Sequence, residues 1–482
     1  MSISEIAPVS SIKTKPFTVA IIGGGPGGLM AAYRLQQRSP RPCQLVLFES
    51  SPRLGGKVVT RQFATAPNLK YEAGAAEFYD YSQLGPDPLR ELIAELGLAT
   101  APMAGGTVLF RGHLIRHLED IRRTFGQDAW QALHHFEQQA RALIGRQDYY
   151  ESDWRKDNED PLARQRFADL IDTIPNEAAR EYIRIVSHSD LACEPHQTSA
   201  SYGLQNYLMD EPDYMQLYTI QGGNERLVQA LAGRISAEIR LEHRVTQVER
   251  GTSNNYRVAW SHQGQSHSEQ FDFVIVALPN DYIPAISWGG EKLGQAMAAH
   301  HRFYDYPAHY LRVTVLFDQP FWRAHLKGAF FMSDAFGGCC VYDEGASIPA
   351  EAQGVLGWLL AGEAALRLGN LDDATLIAQV VSSLPAHFKP SAAKILEARV
   401  QRWAGSVNGL PAGYPARDPD SRHQPEPINH PDLFVIGDYL FDSTINGVLD
   451  SADTVVEWII EESVPDEVSL VSKNDLGSNL AP

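Results

Sequence analysis

Apolar and polar positions alternate along this chain between strand-like runs and helix-like periodicity. Val19 to Ile22 is an unbroken apolar run and reads as a buried strand; Leu29, Met30, Ala32, Tyr33 and Leu35 follow with helical spacing. A second apolar run lies in "CQLVLFES" (43–50), so the chain opens as strand, helix, strand. The stretches "DPLRELIAELGL" (87–98), "DAWQALHHFEQQARALI" (128–144) and "LARQRFADLIDTI" (162–174) repeat apolar residues at i, i+3 and i+4, which predicts a mostly helical region over 81–215. Extended runs return at "FDFVIVALPNDY" (271–282), "HYLRVTVLF" (309–317) and "QGVLGWLLAG" (353–362), followed by a helix at "ATLIAQVVSSL" (374–384). The polar stretch "RQDYYESDWRKDNEDP" (146–161) reads as a surface loop, and 1–15 and 463–482 read as flexible tails. There is no internal repeat.

Between the first strand and its helix stands Gly23-Gly24-Gly25-Pro26-Gly27-Gly28, which satisfies GxGxxG at Gly23, Gly25 and Gly28. Such a turn leaves the backbone bare enough to touch a pyrophosphate, which then sits on the free N–H groups of the helix N-terminus. Glu49 ends the second strand, 21 residues after Gly28. A carboxylate there grips a ribose diol and repels a 2′-phosphate. Strand, glycine turn, helix, strand and acid together predict a bound adenine dinucleotide.

Composition narrows the function further. The 482 residues, 44% apolar and 21% charged, are enough for two or three globular domains. A net charge of −18 argues against nucleic acid and anionic membrane surfaces. Four cysteines without CxxC spacing fit a reducing compartment, and the N-terminus lacks the apolar core of a secretory signal. No apolar stretch approaches the length of a membrane span. The expected location is the cytoplasm, and the sequence leaves a homodimer open. The adjacent pairs His134-His135 and His300-His301 form no HExxH or Cys/His spacing, so no metal site is expected.

Downstream of Glu49 and Ser50 the chain reads Arg53-Leu54-Gly55-Gly56-Lys57 and then "YEAGAAEF" (71–78). Here it resembles the flavin-containing amine oxidase superfamily, whose members include monoamine, polyamine and L-amino-acid oxidases, with phytoene-desaturase-like and protoporphyrinogen-oxidase-like relatives. The resemblance implies FAD, with the Gly55-Gly56 loop beside its phosphates and flavin, positive charge from Arg53 and Lys57, and Gly74-Ala75-Ala76, followed by Glu77, under the isoalloxazine. It continues through "TIQGGNERLVQALAGRI" (219–235) and "LEHRVTQVER" (241–250), where the Val245 backbone would meet adenine, to "FDFVIVALPNDY" and "LFVIGDYLFDSTINGVLDSADTVVEWI" (433–459). In that last segment Gly437 and Asp438 would bind the ribityl or pyrophosphate region. The helix entered through Thr444, Ile445 and Asn446 would point at the flavin pyrimidine. The implied fold is mixed α/β. A discontinuous Rossmann-like FAD-binding domain (16–80, 216–300, 395–462) carries a substrate domain (81–215, 301–394) of a sheet flanked by helices.

The superfamily's amine oxidases carry a lysine nine residues before a Phe-Trp pair; here Phe321-Trp322 is preceded at that distance by Arg312. A guanidinium stays protonated and cannot be a general base, but it can hold a water or grip a substrate carboxylate. A strand arginine paired with an acid is the alternative. "RWAGSVNGLPAGYP" (402–415) resembles the family's Trp-to-Gly-Tyr segment, which implies an aromatic cage of Trp403 and Tyr414, with Thr444 near the position of the missing wall and Tyr439 or Phe441 as substitutes. Gly413 stands where the monoamine oxidases carry a flavin-linked cysteine, which implies dissociable FAD. The expected reaction removes a hydride from a C–H beside nitrogen of a small amine or amino acid. A second GxGxxG is absent, so electrons leave to oxygen or a small acceptor. The alternatives are a desaturase forming C=C or C=N bonds, and a non-enzymatic binding protein like the GDP-dissociation inhibitors.

Overall fold

The computed structural model describes residues 16–151, 160–209, 211–251, 255–346, 352–388, 393–414, 417, 419–441 and 443–463. The tails expected at the two ends lie outside them, except for Ser463, which closes the last helix. Of the stretch expected as a polar loop, Arg146–Glu151 is helical and 152–159 lie outside the described residues.

Five parallel strands form the first sheet, in the order Glu238–Arg240, Cys43–Phe48, Phe17–Ile22, Phe273–Val276, Leu433–Val435. The order follows from the apolar runs: Val19, Ile21, Leu47, Val274 and Ile275 are fully buried, as a strand covered on both faces must be. The helices Pro26–Arg38 and Ile445–Ser463 pack on one face, pinned at their rims by Arg34 and Arg38 on Asp453.

A second, seven-stranded sheet runs in the order Ile395–Asn408, Pro307–Phe317, Gly354–Ala361, Cys339–Asp343, Phe330–Ser333, Thr107–Phe110, His113–Ile115. Two boundaries differ from the sequence reading. The strand Ile395–Asn408 is an edge of this second sheet and pairs with Pro307–Phe317, although residues from 395 onward read as cofactor domain. The region 81–215 also contributes strands, at Thr100–Met103, Thr107–Phe110 and His113–Ile115. The helix read over 162–174 is two pieces, Pro161–Arg164 and Phe167–Asp172. Between them the backbone bonds sideways, Ala200 N–H to Gln165 O and Phe167 N–H to Thr198 O, so pairing with a distant segment overrides local helical propensity. Among the described residues no helix is long and apolar enough to cross a membrane.

Candidate active site

The glycine turn is built for close approach. Gly23 has φ +118°, and a Cβ there would lie 2.3 Å from Ala277 O. At Gly28 a Cβ would meet Gly23 O at 2.1 Å, so this glycine lets the helix pack against its own strand. Gly25 differs: the nearest atom to its Cβ position is Gly56 Cα at 3.9 Å, and both glycines line one large cavity. Gly25 caps the helix Pro26–Arg38 without any side-chain hydrogen bond, which leaves the first-turn N–H groups for a ligand. Glu49 is held at the cavity wall by two backbone donors, Gly24 N–H at 2.9 Å and Ser51 N–H at 2.7 Å.

The cavity has an empty volume of about 1770 Å³, its open mouth included. Its wall gathers Gly23, Gly25, Pro26, Gly27, Glu49, Gly56, Lys57, Gly74, Ala75, Ala76, Glu77, Arg312, Trp403, Gly437, Asp438, Thr444 and Ile445, which the sequence scatters over more than 400 positions.

Other nominated residues stand elsewhere. Ser50 is exposed and off the wall; its neighbour Ser51 is the one that holds Glu49. Arg53 turns away from the cavity and donates to Leu54 O and Gly56 O, so it braces the Gly55-Gly56 turn rather than presenting charge to a ligand. Lys57 does face the cavity, but its Nζ is 2.8 Å from Asp438 Oδ2 and 2.5 Å from Ser406 O. Gly55 has φ +106° and would press a Cβ to 2.8 Å from Val58 O, a turn requirement rather than a ligand contact. Val245 stands opposite Trp260 in a four-stranded sheet with its side chain in the core. Asn446 is buried behind the wall with its Nδ2 3.3 Å from Asp87 Oδ1. Tyr414 is also off the wall; it packs edge-on against Phe303 and Tyr306 and donates to Phe303 O. Tyr439 and Phe441 are likewise absent from the wall, so the aromatic partner of Trp403 has to come from another element.

That element is the roof strand Pro307–Phe317. Its period of two puts Tyr310 and Arg312 on one face, and register pairs Tyr310 with Trp403 and Arg312 with Leu359, all four on the cavity wall. Trp403 is fixed by its indole N–H to Ala73 O at 2.7 Å. Arg312 is 1% exposed, ion-paired with the partly buried Glu344, and its guanidinium carbon lies 4.7 Å from the centre of the Tyr342 ring. Burial opposes its charge, yet Glu344 and Tyr342 hold it firmly protonated. Its Nε and Nη1 have no hydrogen-bond partner among the described residues.

Acids crowd around it. Burial pushes Glu72 up to about 8, against donors from Asn224 N–H and Thr60 O–H. Burial also raises Glu77, with its hydrogen bond to Tyr342 and the Arg312 charge opposing.

Sequence reading missed the far wall: Tyr79, Tyr81, Tyr149, Asp190, Tyr202, Gln205, Asn206, Met209 and Tyr310. A signal for four of them was present. Tyr202, Gln205, Asn206 and Met209 recur at i, i+3, i+4 and i+7 on the helix Ala200–Met209 and share one face.

Replacing Glu49 with Ala removes the acceptor for two backbone N–H groups and the carboxylate expected to grip a ribose diol. Hydrogen bonds to a charged group are each worth about 1.5–3 kcal/mol, so flavin retention is expected to fall at least tenfold on dilution and gel filtration. Unchanged retention would mean the second strand does not contact the ligand.

A family model described as flavin containing amine oxidoreductase matches residues 26–460. The chain is 26% identical over 354 residues to a protein named "Putative flavin-containing monoamine oxidase AofH" from Mycobacterium tuberculosis, covering 67% of this chain and 70% of that one. It is 24% identical over 293 residues to amine oxidase [flavin-containing] A of Canis lupus familiaris, covering 56% and 51%. Among solved structures, wild-type putrescine oxidase bound to putrescine superposes with a TM-score of 0.71 at 19% identity, covering 93% of this chain and 99% of that one. Cyclohexylamine oxidase from Brevibacterium oxydans IH-35A gives 0.70 at 19% identity, covering 93% and 99%.

Proposed function

The chain belongs to the flavin-containing amine oxidoreductases and is a flavin-dependent oxidoreductase, and on that premise we propose that it binds FAD non-covalently and oxidises the C–N bond of a small amine or amino acid. The observation that carries this reading is the single cavity that joins the glycine turn and Glu49 to Arg312, Trp403 and the tyrosine wall. Gly25, Gly56 and the uncapped helix N-terminus fit a pyrophosphate; Glu49 fits a ribose diol; Gly74 to Ala76 leave a flat, side-chain-poor wall.

When bound, the flavin accepts a hydride equivalent from the carbon beside nitrogen. The chain's own residues do the rest. Trp403 and Tyr310 wall the substrate against the roof and exclude water. Arg312 offers Nε and Nη1 as fixed donors to a water or a ring acceptor; it cannot accept a proton. The imine product takes up water after release.

Gly413 has φ +72° and, among the described residues, no atom within 4 Å of its Cβ position, and it offers no sulfur for a covalent link. Acid or heat should release all the flavin as FAD into the supernatant, at about one per chain. Flavin left in the precipitate would overturn non-covalent binding. Anaerobic addition of a panel of small amines should bleach the bound flavin; a flavin that no amine or amino acid reduces would refute the reaction proposed. A second reading, a desaturase that forms C=C or C=N without hydrolysis, draws support from Arg312 in place of the family's lysine, and product analysis separates the two.

A further inference from the structure

We propose that Glu77 sets the charge of the substrate: the cavity selects a cationic amine without a carboxylate, and Glu77 is the anion that receives it. This rests on the amine-oxidising reading above and decides between the amine and the amino acid that it leaves open.

The balance of charge on the wall carries the inference. Among the described residues two cations line the cavity, and each already faces a carboxylate: Lys57 is bonded to Asp438, and Arg312 to Glu344. The Arg312–Glu344 pair is nearly dry on both sides, with side-chain exposures of 1% and 8%. The positive charge an incoming carboxylate would need is therefore largely cancelled before it arrives.

Glu77 feels the Arg312 charge but makes no ion-pair contact among the described residues. It follows directly on the Gly74-Ala75-Ala76 stretch, lines the cavity, and its buried Oε2 has no hydrogen-bond partner among the described residues. Tyr342, the same ring that lies against the Arg312 guanidinium, holds the carboxylate through its hydroxyl. A buried acceptor left open in this way is costly unless a donor completes it, and an ammonium N–H group completes it with a charge-assisted bond.

The surrounding wall agrees in sign. Both Glu77 and Asp190 act electrostatically on Tyr79 and Tyr310, which places the two carboxylates around the same pair of phenols. Tyr79, Tyr81, Tyr149, Tyr202 and Tyr310 present aromatic surface there, and aromatic faces attract cations. An α-carboxylate entering this end would meet Glu77 and Asp190 on the wall, with the Arg312 guanidinium already paired to Glu344. The orphan Nε–H and Nη1–H of Arg312 remain as neutralised donors, suited to a water or a flavin acceptor.

The test uses a matched pair on the holoenzyme: 2-phenylethylamine and phenylalanine, which differ by the carboxylate alone. Binding is read by calorimetry and by perturbation of the oxidised flavin spectrum, without requiring turnover. The amine is expected to bind at least tenfold more tightly than the amino acid. Glu77→Gln, which keeps the size and a hydrogen bond to Tyr342, is expected to weaken amine binding at least tenfold with flavin content unchanged. Equal or tighter binding of phenylalanine by the wild-type protein overturns the proposal, and so does unaltered amine affinity in Glu77→Gln. If that variant loses its flavin, the matched pair on the wild-type protein still decides. An amine that binds with this preference but never reduces the flavin would sink the proposed reaction and leave the charge selection standing.

Discussion

Gly25→Val is expected to yield a folded protein with almost no flavin. Gly25 has φ −76° and ψ −179°, a conformation open to a β-branched residue, and the nearest atom to its Cβ position is 3.9 Å away. The protein itself therefore tolerates valine. The two added methyl groups would instead fill the cavity between Gly25 and Gly56, where a pyrophosphate has to reach the helix N-terminus. Gly28→Val makes the internal control. Its Cβ would lie 2.1 Å from Gly23 O, inside the packing of helix on strand, so that variant is expected to misfold rather than to fold empty. Flavin absorbance per chain and thermal melting of both variants check this. A Gly25→Val protein with normal flavin content would remove the glycine turn from the binding site.

The second large effect is expected at Arg312, where stability and chemistry separate. Arg312→Ala strands Glu344 as an unpaired carboxylate that is 8% exposed, and breaking a buried pair from one side costs about 3–5 kcal/mol. A large loss of thermal stability is therefore expected, and any fall in rate in that variant is uninformative by itself. Arg312→Lys keeps a cation opposite Glu344 and removes the planar fork with its two orphan donors, Nε and Nη1. It is expected to melt near the wild-type temperature while flavin reduction slows by about a hundredfold, the scale of one lost charged contact. Wild-type rates for the lysine variant in both half-reactions would reduce Arg312 to a structural ion pair.

The parts of this site that could be read from sequence are those where backbone geometry restricts the residue. Gly23 and Gly28 admit no side chain, and Glu49 must end the second strand to meet Gly24 N–H. The apolar runs at 19–22, 273–276 and 433–435 read as strands because a parallel sheet buries both faces. The substrate wall follows a different logic. Tyr79, Asp190, Tyr202 and Tyr310 belong to four separate segments, brought together by the roof sheet and by helix packing that no local pattern encodes. Arg53 shows the limit from the other side: its position in the glycine loop is legible, but the direction of its guanidinium, toward Leu54 O and Gly56 O, depends on the turn it braces. Resemblance of the 402–415 segment to the family nominates Tyr414, yet the chain turns at Asn408 to Gly413 and delivers Tyr414 into the core around Phe303. The strand at 395–408 was divided from its true partner because its exposed edge gives it mixed polar and apolar residues, with little to mark which sheet it joins.

The central claim is that a carbon beside nitrogen loses its hydride and the C–N bond is then opened by water. It is tested most directly by anaerobic reaction of the holoenzyme with an excess of an amine that bleaches its flavin, followed by quantitation of every product. The account predicts one carbonyl compound and one ammonia, or one smaller amine, for each flavin reduced. A product that keeps its nitrogen and carries a new C=C or C=N bond resistant to water would contradict it.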